Sequence, residues 1–180
     1  MCPVDVEVAR VAAGETDEAA RLDELHRLAE PEGSHPQEID DIVARAAEVA
    51  GVLMATVNLI DRERQFPVAS AGFEGSSVPR RDAICNVTLQ RGHFVHVPDA
   101  RRDAELAHSP WVDGRRGEVR FYAAAPLRTS RGYAIGTLCV FDIVPHELSQ
   151  GQIDELERLA AEVVAAFERG VPGPAAAVGP

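Results

Sequence analysis

The cysteines are the residues of this sequence that could most directly do covalent chemistry. Cys85 stands at the start of a short predicted helix over 82–89, and a helix N-terminus lowers the pKa of a thiol. We favour the alternative that Cys85 is packed under this helix, because free cysteines are among the most buried residues. Cys139 lies within a predicted strand as a small buried thiol, and Cys2 is expected to be inert.

Histidine and arginine residues suggest two further kinds of site. His93 and His96 are three residues apart on a predicted strand, so they should point to opposite faces and share no metal ion. Arginine pairs within 72–117 could frame an anionic ligand, although we favour solvated charge that balances acidic helices. These pairs are Arg80–Arg81, Arg101–Arg102 and Arg115–Arg116. We predict no metal site and assign no catalytic residue.

Composition and charge exclude several classes of protein. The chain has 180 residues, a formal net charge of -11 and 46% hydrophobic residues, which suits one folded domain. Its acidity argues against binding to nucleic acid or to an anionic membrane, since both need basic surface. No apolar run approaches the roughly 20 residues that span a bilayer, and the first residues lack a secretory signal. The 3 cysteines, an odd number, suit a reducing compartment, and we expect a cytoplasmic protein.

Periodic apolar residues predict helices in both flanks of the chain. The predicted helices cover 17–29, then 39–50 with a stop at Gly51, and a third segment from a Ser149 cap to Gly170. The expected organisation is a flexible N-terminus over 1–16, one domain over 17–169 and a disordered C-terminal tail over 170–180.

The middle of the chain predicts strands. They form one hairpin over 52–71, a short strand at 94–97 and a second hairpin over 118–142. In the second hairpin both alternating sets of side chains are apolar, which indicates a sheet that is covered on both faces. The terminal helices can cover one face, and the long segment 72–117 must cover the other. We predict an α+β fold with a central antiparallel sheet of five or six strands between two helical layers.

Four segments resemble, in this order, the bacterial sensory subgroup of GAF domains. They are 59–66, 97–103, 120–127 and 136–142, the third of which reads Phe-Tyr-Ala-Ala-Ala-Pro-Leu from Phe121 onward. Ala124 stands where this subgroup usually has glycine. The resemblance covers about 22–167 and implies a GAF-like α/β/α sandwich.

The resemblance implies a stand-alone sensory or regulatory module of signal transduction that binds a small molecule or a partner protein. Asn86 follows Cys85 where bilin-binding relatives have histidine, and the signatures of cyclic-nucleotide-binding relatives and methionine sulfoxide reductases are absent. The cofactor and the ligand therefore stay unknown. Two alternatives are open: a thiol-based redox enzyme or sensor using Cys85, and a dimerisation module with a filled pocket. A second cysteine near Cys85 would favour the redox alternative, and Cys139 is the only candidate.

We expect a ligand pocket between the sheet and the segment 72–117. Side chains two apart on a strand share a face, so alternate residues of the second hairpin should form its floor. The predicted ligand-binding residues are Ile84, Cys85, Phe121, Ala123, Cys139 and Phe141, with Tyr122 in reserve if the opposite set faces the pocket, and with Asp99 or Arg120 at the rim.

The terminal helices also predict partners. Their apolar stripes, over 17–29 and 152–167, exceed what one sheet face should need, so we expect a homodimer through these helices. No output segment is recognised in the sequence, so a shift of the terminal helices would act on a separate output protein.

Overall fold

The computed structural model describes residues 17–30 and 33–171. The predictions for residues 1–16, for Cys2 and for the tail beyond residue 171 lie outside the described residues. Within these ranges the helices are α1 (residues 17–28), α2 (Glu38–Ala50), α3 (Cys85–Arg91) and α4 (Gln150–Arg169). The strands are β1 (Met54–Ile60), β2 (Arg64–Ala71), β3 (Val78–Pro79), β4 (Val95–Val97), β5 (Phe121–Arg128) and β6 (Ala134–Asp142).

Within the described ranges the six strands form one antiparallel sheet in the order β3-β2-β1-β6-β5-β4. Strands β1 and β2 form the first predicted hairpin, and β5 and β6 form the second. Helices α1, α2 and α4 cover one face of the sheet, here called the helix face. Residues 72–117, here called the covering segment, include the edge strands β3 and β4 and the helix α3, and α3 and the loops after β4 lie over the opposite face. The predicted α+β fold with helices on both faces is confirmed.

Local sequence sets the ends of the helices. The Ser149 side chain accepts a hydrogen bond from the backbone N–H of Gln152, and the Gln152 side chain accepts one from the backbone N–H of Ser149. Helix α2 ends at Gly51, whose φ of 70° lies in the left-handed region that glycine adopts without strain. Both ends agree with the sequence prediction.

The apolar stripes of the terminal helices are buried in the core of this chain itself. The buried residues include Leu22, Leu25 and Leu28 of α1, and Leu159, Val163 and Phe167 of α4. The stripes that suggested a homodimer are thus already used within one protomer, and the homodimer stays a prediction. Among residues 17–30 and 33–171, none of the helices is both long and apolar enough to cross a membrane.

Alternate residues of the central strands enter two separate cores, one on each face of the sheet. Ala123 of β5 pairs directly with Val140 of β6, and both belong to the core of the helix face. The next pair, Ala124 with Cys139, belongs to the core under the covering segment, together with Tyr122. The register between β5 and β6 therefore decides which residues can face a site on either side.

Gly136 allows β6 to approach β1 closely. A Cβ atom added to Gly136 would lie 2.0 Å from the carbonyl oxygen of Asn58 on the neighbouring strand. Backbone on a neighbouring strand cannot yield as the end of a flexible side chain can. A side chain at this position would therefore separate the two strands that form the middle of the sheet.

We expect Gly136→Ala to lower the free energy of unfolding by more than about 2 kcal/mol, because the new methyl group must displace the backbone of β1. The matched control is Gly151→Ala, since a Cβ there meets only the Ser149 side chain, at 3.9 Å. Gly151 lies in the first turn of α4, so the control should change stability by less than about 1 kcal/mol. Urea denaturation measures both variants, and equal unfolding free energies would contradict the close approach.

Candidate functional site

A cavity of about 130 Å³ lies between the sheet and the covering segment. Three central strands form its floor, through the side chains that alternation sends to this face. The floor consists of Thr56 and Asn58 of β1, Tyr122 of β5, and Cys139 and Phe141 of β6.

Residues of the covering segment form the opposite wall of the cavity. Ile84 and Cys85 contribute from the N-terminal end of α3, and Trp111 contributes from the loop that leads toward β5. Exposed residues, among them Glu74 and Ser76, line the outer end of the cavity. The cavity thus extends from a buried floor to the protein surface.

The structure brings together five of the residues predicted from the sequence. Ile84, Cys85, Tyr122, Cys139 and Phe141 all line the cavity. Tyr122, the reserve in the sequence analysis, is fully buried, and its hydroxyl lies 2.8 Å from the Thr88 hydroxyl of α3. Ligand binding by these residues stays a prediction.

The predicted position of Phe121 and Ala123 under the covering segment is wrong. Both residues are fully buried in the core of the helix face. Phe121 packs edge-to-face against His146, with ring centroids 5.1 Å apart. The reason is the strand register, because Ala123 lies opposite Val140 and therefore shares its face.

The predicted rim residues, Asp99 and Arg120, do not line the cavity. The side chain of Arg101 donates to the Asp99 carboxylate, and this hydrogen bond holds the pKa of Asp99 at about 2. Asp99 also caps the short turn Ala100–Arg102 by accepting from a backbone N–H. Arg120 donates to the carbonyl oxygen of Val112. Both side chains therefore fix the loops before β5.

Sequence reasoning missed several residues of the cavity wall, including the polar Thr56, Asn58 and Gln65. A signal for two of them was present, because Thr56 and Asn58 alternate with apolar residues along β1 and must share one face. Gln65 belongs to β2 and reaches the cavity from the neighbouring strand. Trp111 was missed because it lies in an irregular loop without periodicity.

The two sulfur atoms at the cavity floor lie close together. Cys85 Sγ and Cys139 Sγ are 3.6 Å apart, and both cysteines are free and buried. The Asn58 side-chain amide donates toward both of them, at 3.6 Å to Cys85 and 3.8 Å to Cys139. The structure therefore supplies the second cysteine that the redox alternative required.

The surroundings of Cys85 favour its thiolate. The pKa of Cys85 is lowered from 9.0 to about 7, chiefly because the Cys139 S–H donates to the thiolate when Cys85 ionises. Burial opposes this shift, whereas the hydroxyls of Thr137 and Tyr122 support it, and the Thr137 hydroxyl is buried without another partner. Donation to Cys85, together with burial, raises the pKa of Cys139. Burial likewise raises the pKa of Tyr122, so that its hydroxyl stays protonated.

The polar atoms of the cavity wall offer hydrogen-bond acceptors. Gln65 is only 9% exposed, and its Oε1 atom is buried without a hydrogen-bond partner. Leaving such an atom unpaired costs about 1–3 kcal/mol. Glu74 contributes a carboxylate at the exposed end, and among the described residues no arginine or histidine lines the cavity. The cavity therefore suits a hydrogen-bond donor, and its described lining contains no positively charged side chain to balance an anion.

The arginine pairs of the covering segment lie beside carboxylates. Arg101 pairs with Asp99, and Arg115 pairs with Asp113. In each pair the two residues are close neighbours in sequence. Arg80 binds Glu18 of α1. These contacts support the interpretation that the arginines balance nearby acids.

No protein-family model matches the chain. A cyclic di-GMP phosphodiesterase from Pseudomonas aeruginosa is 32% identical to it over 150 residues, which are 83% of this chain and 25% of the relative. The chain thus spans about a quarter of the length of this curated relative.

Solved structures resemble the chain over most of its length. The GAF domain of the Acinetobacter phosphoenolpyruvate-protein phosphotransferase superposes with a TM-score of 0.61 at 20% identity, covering 83% of this chain and 94% of that domain. A type II free methionine-R-sulfoxide reductase from Thermoplasma acidophilum superposes with a TM-score of 0.60 at 11% identity, covering 73% of this chain and 91% of that protein. The chain has the GAF-domain fold, as its sequence predicted. Because one fold carries such different activities, its function must be argued from the cavity.

The assignment of faces leads to a direct test. We expect Ala123→Leu to overpack the core of the helix face, to lower the free energy of unfolding by about 1–3 kcal/mol and to leave the cavity open. Val119→Phe should instead place its ring in the cavity, since Val119 lines it, and should lower the free energy of unfolding by less than the overpacking in Ala123→Leu does.

Urea denaturation gives the stability of both variants, and fluorescence of Trp111, the 1 tryptophan of the chain, reports the cavity wall. Val119→Phe should shift the Trp111 emission, whereas Ala123→Leu should not. An Ala123→Leu variant with native stability and a shifted emission would contradict the assignment of the two faces.

Proposed function

We propose that this chain is a regulatory module of the GAF type that binds a small, mostly apolar molecule carrying a hydrogen-bond donor in the cavity beneath the covering segment. Its output is a shift of the terminal helices on the opposite face of the sheet. The observation that carries the proposal is the buried, unpaired Oε1 atom of Gln65 at the cavity wall.

The volume of the cavity supports a ligand of modest size. An engineered apolar cavity of about 150 Å³ in another protein binds benzene, and this cavity measures about 130 Å³. Its apolar walls include Phe141, Trp111 and Val78. A single ring or a branched aliphatic chain with one amine or hydroxyl group therefore fits, with its N–H or O–H donating to Gln65. The unfilled space also argues against the alternative of a dimerisation module whose pocket is filled by side chains.

The charge of the cavity supports a neutral or cationic ligand. Glu74 is the charged side chain at its outer end, and the described part of the wall contains no basic residue. Cyclic di-GMP, with two phosphates and two guanosines, is too large and too anionic for this space. From the name of the relative we also propose that the module acts in cyclic di-GMP signalling, as a regulator that senses a different molecule.

Adjacent residues of the same strands connect the cavity with the helices. Tyr122 and Cys139 line the cavity, whereas their neighbours Ala123 and Val140 enter the core under the helices. Because close-packed cores transmit small displacements, a ligand that moves the floor also moves the helix face. The alternation of β5 and β6 is thus the proposed route to the helices.

A polar contact offers a second route, from the covering segment to α1. Arg80 donates to Asn86, the residue after Cys85, and its guanidinium also binds Glu18 of α1. Hydrogen bonds from Arg21 and Arg80 lower the pKa of Glu18 to about 2. The buried Arg21 in turn donates to the carbonyl oxygen of Ile60, 2.8 Å away, at the end of β1. Displacement of α3 would therefore reach the first terminal helix.

A matched pair of probes tests the proposed ligand class. Benzylamine and toluene share a ring, but only benzylamine donates hydrogen bonds. We expect both to change Trp111 fluorescence, and benzylamine to bind more tightly. Gln65→Leu should weaken benzylamine binding by about tenfold, the worth of one hydrogen bond to a buried acceptor.

The control variant is Gln90→Leu, which replaces an exposed glutamine outside the cavity and should bind both probes as the wild type does. Toluene binding should be unchanged in Gln65→Leu. Saturating concentrations that leave Trp111 fluorescence unaffected, or equal affinities of benzylamine in both variants, would contradict the role of Gln65.

A further inference from the structure

The cavity floor holds a pair of thiols whose spacing suits bond formation. A disulfide joins its sulfur atoms at about 2.05 Å, so Cys85 Sγ and Cys139 Sγ, now 3.6 Å apart, need to approach by about 1.5 Å. Cys85 is the first residue of the short helix α3, whereas Cys139 lies in the middle of the sheet. A small movement of α3 or a rotation of the Cys85 side chain can supply this approach.

We propose that Cys85 and Cys139 form a peroxide-responsive thiol pair, in which a small hydroperoxide entering the cavity converts the two thiols into an intramolecular disulfide. The inference does not depend on the ligand proposed above, because it needs only the two cysteines and access through the cavity. It assigns Cys85 as the attacking thiol and Cys139 as the resolving thiol.

The reaction proceeds in two balanced steps. The Cys85 thiolate attacks one oxygen of the hydroperoxide, and the O–O bond breaks. The other oxygen leaves as an alkoxide, or as hydroxide when hydrogen peroxide reacts, and takes up the proton that Cys85 released on ionising to become an alcohol or water. Cys85 is now a sulfenic acid. The Cys139 sulfur then attacks Cys85 Sγ, the S–S bond forms, and the hydroxide that leaves takes the Cys139 proton to become water. The two thiols give up two electrons, and the peroxide accepts them.

Polar groups around the two sulfurs stabilise negative charge at this point. The Asn58 amide donates to both sulfurs and stabilises negative charge at this point. The other titratable groups that face Cys85 are Cys139 and Tyr122, and both stay protonated because their pKa values are raised. The lowered pKa of Cys85, about 7, agrees with its assignment as the attacking thiol.

The cavity gives a peroxide access to these buried atoms. Both cysteines line the cavity, and exposed residues such as Ser76 line its outer end. The oxidised form should draw α3 toward β6 and reduce the cavity. Because the cavity becomes smaller, oxidation and ligand binding should oppose each other. The movement of α3 should also strain the contact between Arg80 and Asn86.

The test uses the full chain with Cys2→Ser, so that only the two cavity cysteines can react. Treatment with hydrogen peroxide, blocking with N-ethylmaleimide and peptide mass spectrometry should show a peptide with Cys85 linked to Cys139, and dithiothreitol should remove the link. The rate of thiol loss should rise with pH with a midpoint near 7, because the thiolate is the reactive form and the pKa of Cys85 is about 7.

Two variants separate the roles of the cysteines. Cys139→Ser, which keeps a hydroxyl donor beside Cys85, should stop at the sulfenic acid, which dimedone traps on Cys85, whereas Cys85→Ala should leave Cys139 unmodified under the same treatment. Circular dichroism establishes whether each variant is folded. If either variant is unfolded, formation of the disulfide between Cys85 and Cys139 in the Cys2→Ser protein tests the proposal by itself. The proposal is overturned if both thiols survive peroxide that oxidises the urea-unfolded chain, or if only links between different chains form.

Discussion

The structure depends on three adjacent strands, β1, β6 and β5, that have no solvent-exposed face and divide their side chains between two cores. The close approach of β6 to β1 at Gly136 holds the middle of this arrangement together. Neighbouring residues of a strand face opposite cores. Displacement of a residue in one core therefore also moves the next residue along the strand, which lies in the other core. The proposed link between a cavity and distant helices follows from this geometry.

The two faces are covered by different kinds of structure. On the helix face, helices with regular apolar stripes pack against small and branched side chains such as Ala123 and Val140. On the other face, the covering segment contributes one short helix, turns and loops besides its two short edge strands, and a cavity of about 130 Å³ lies beneath it. Regular elements thus provide the rigid scaffold, and irregular ones provide the candidate site. The thiol pair lies where the covering segment meets the sheet, because Cys85 belongs to the covering segment and Cys139 belongs to β6.

The sequence predicted the elements well because their signals are local. The Ser149 cap, the stop at Gly51 and the two hairpins depend on neighbouring residues alone. The faces of β5 could not be assigned in the same way, because both alternating sets of that strand are apolar and only the register with β6 separates them. The 3.6 Å approach of Cys85 to Cys139 depends on how α3 docks on the sheet. Docking is a tertiary property without a local signal.

Xenon binding tests for the cavity beneath the covering segment, because xenon enters apolar cavities of this size without needing a polar group. Spectra of methyl-labelled protein under xenon should show shifts at Val78, Ile84 and Val119, which line the cavity. Methyl groups of Leu138 and Val140, buried on the helix face, should shift much less. Shifts concentrated on the helix face, or none under xenon pressure, would contradict a cavity beneath the covering segment.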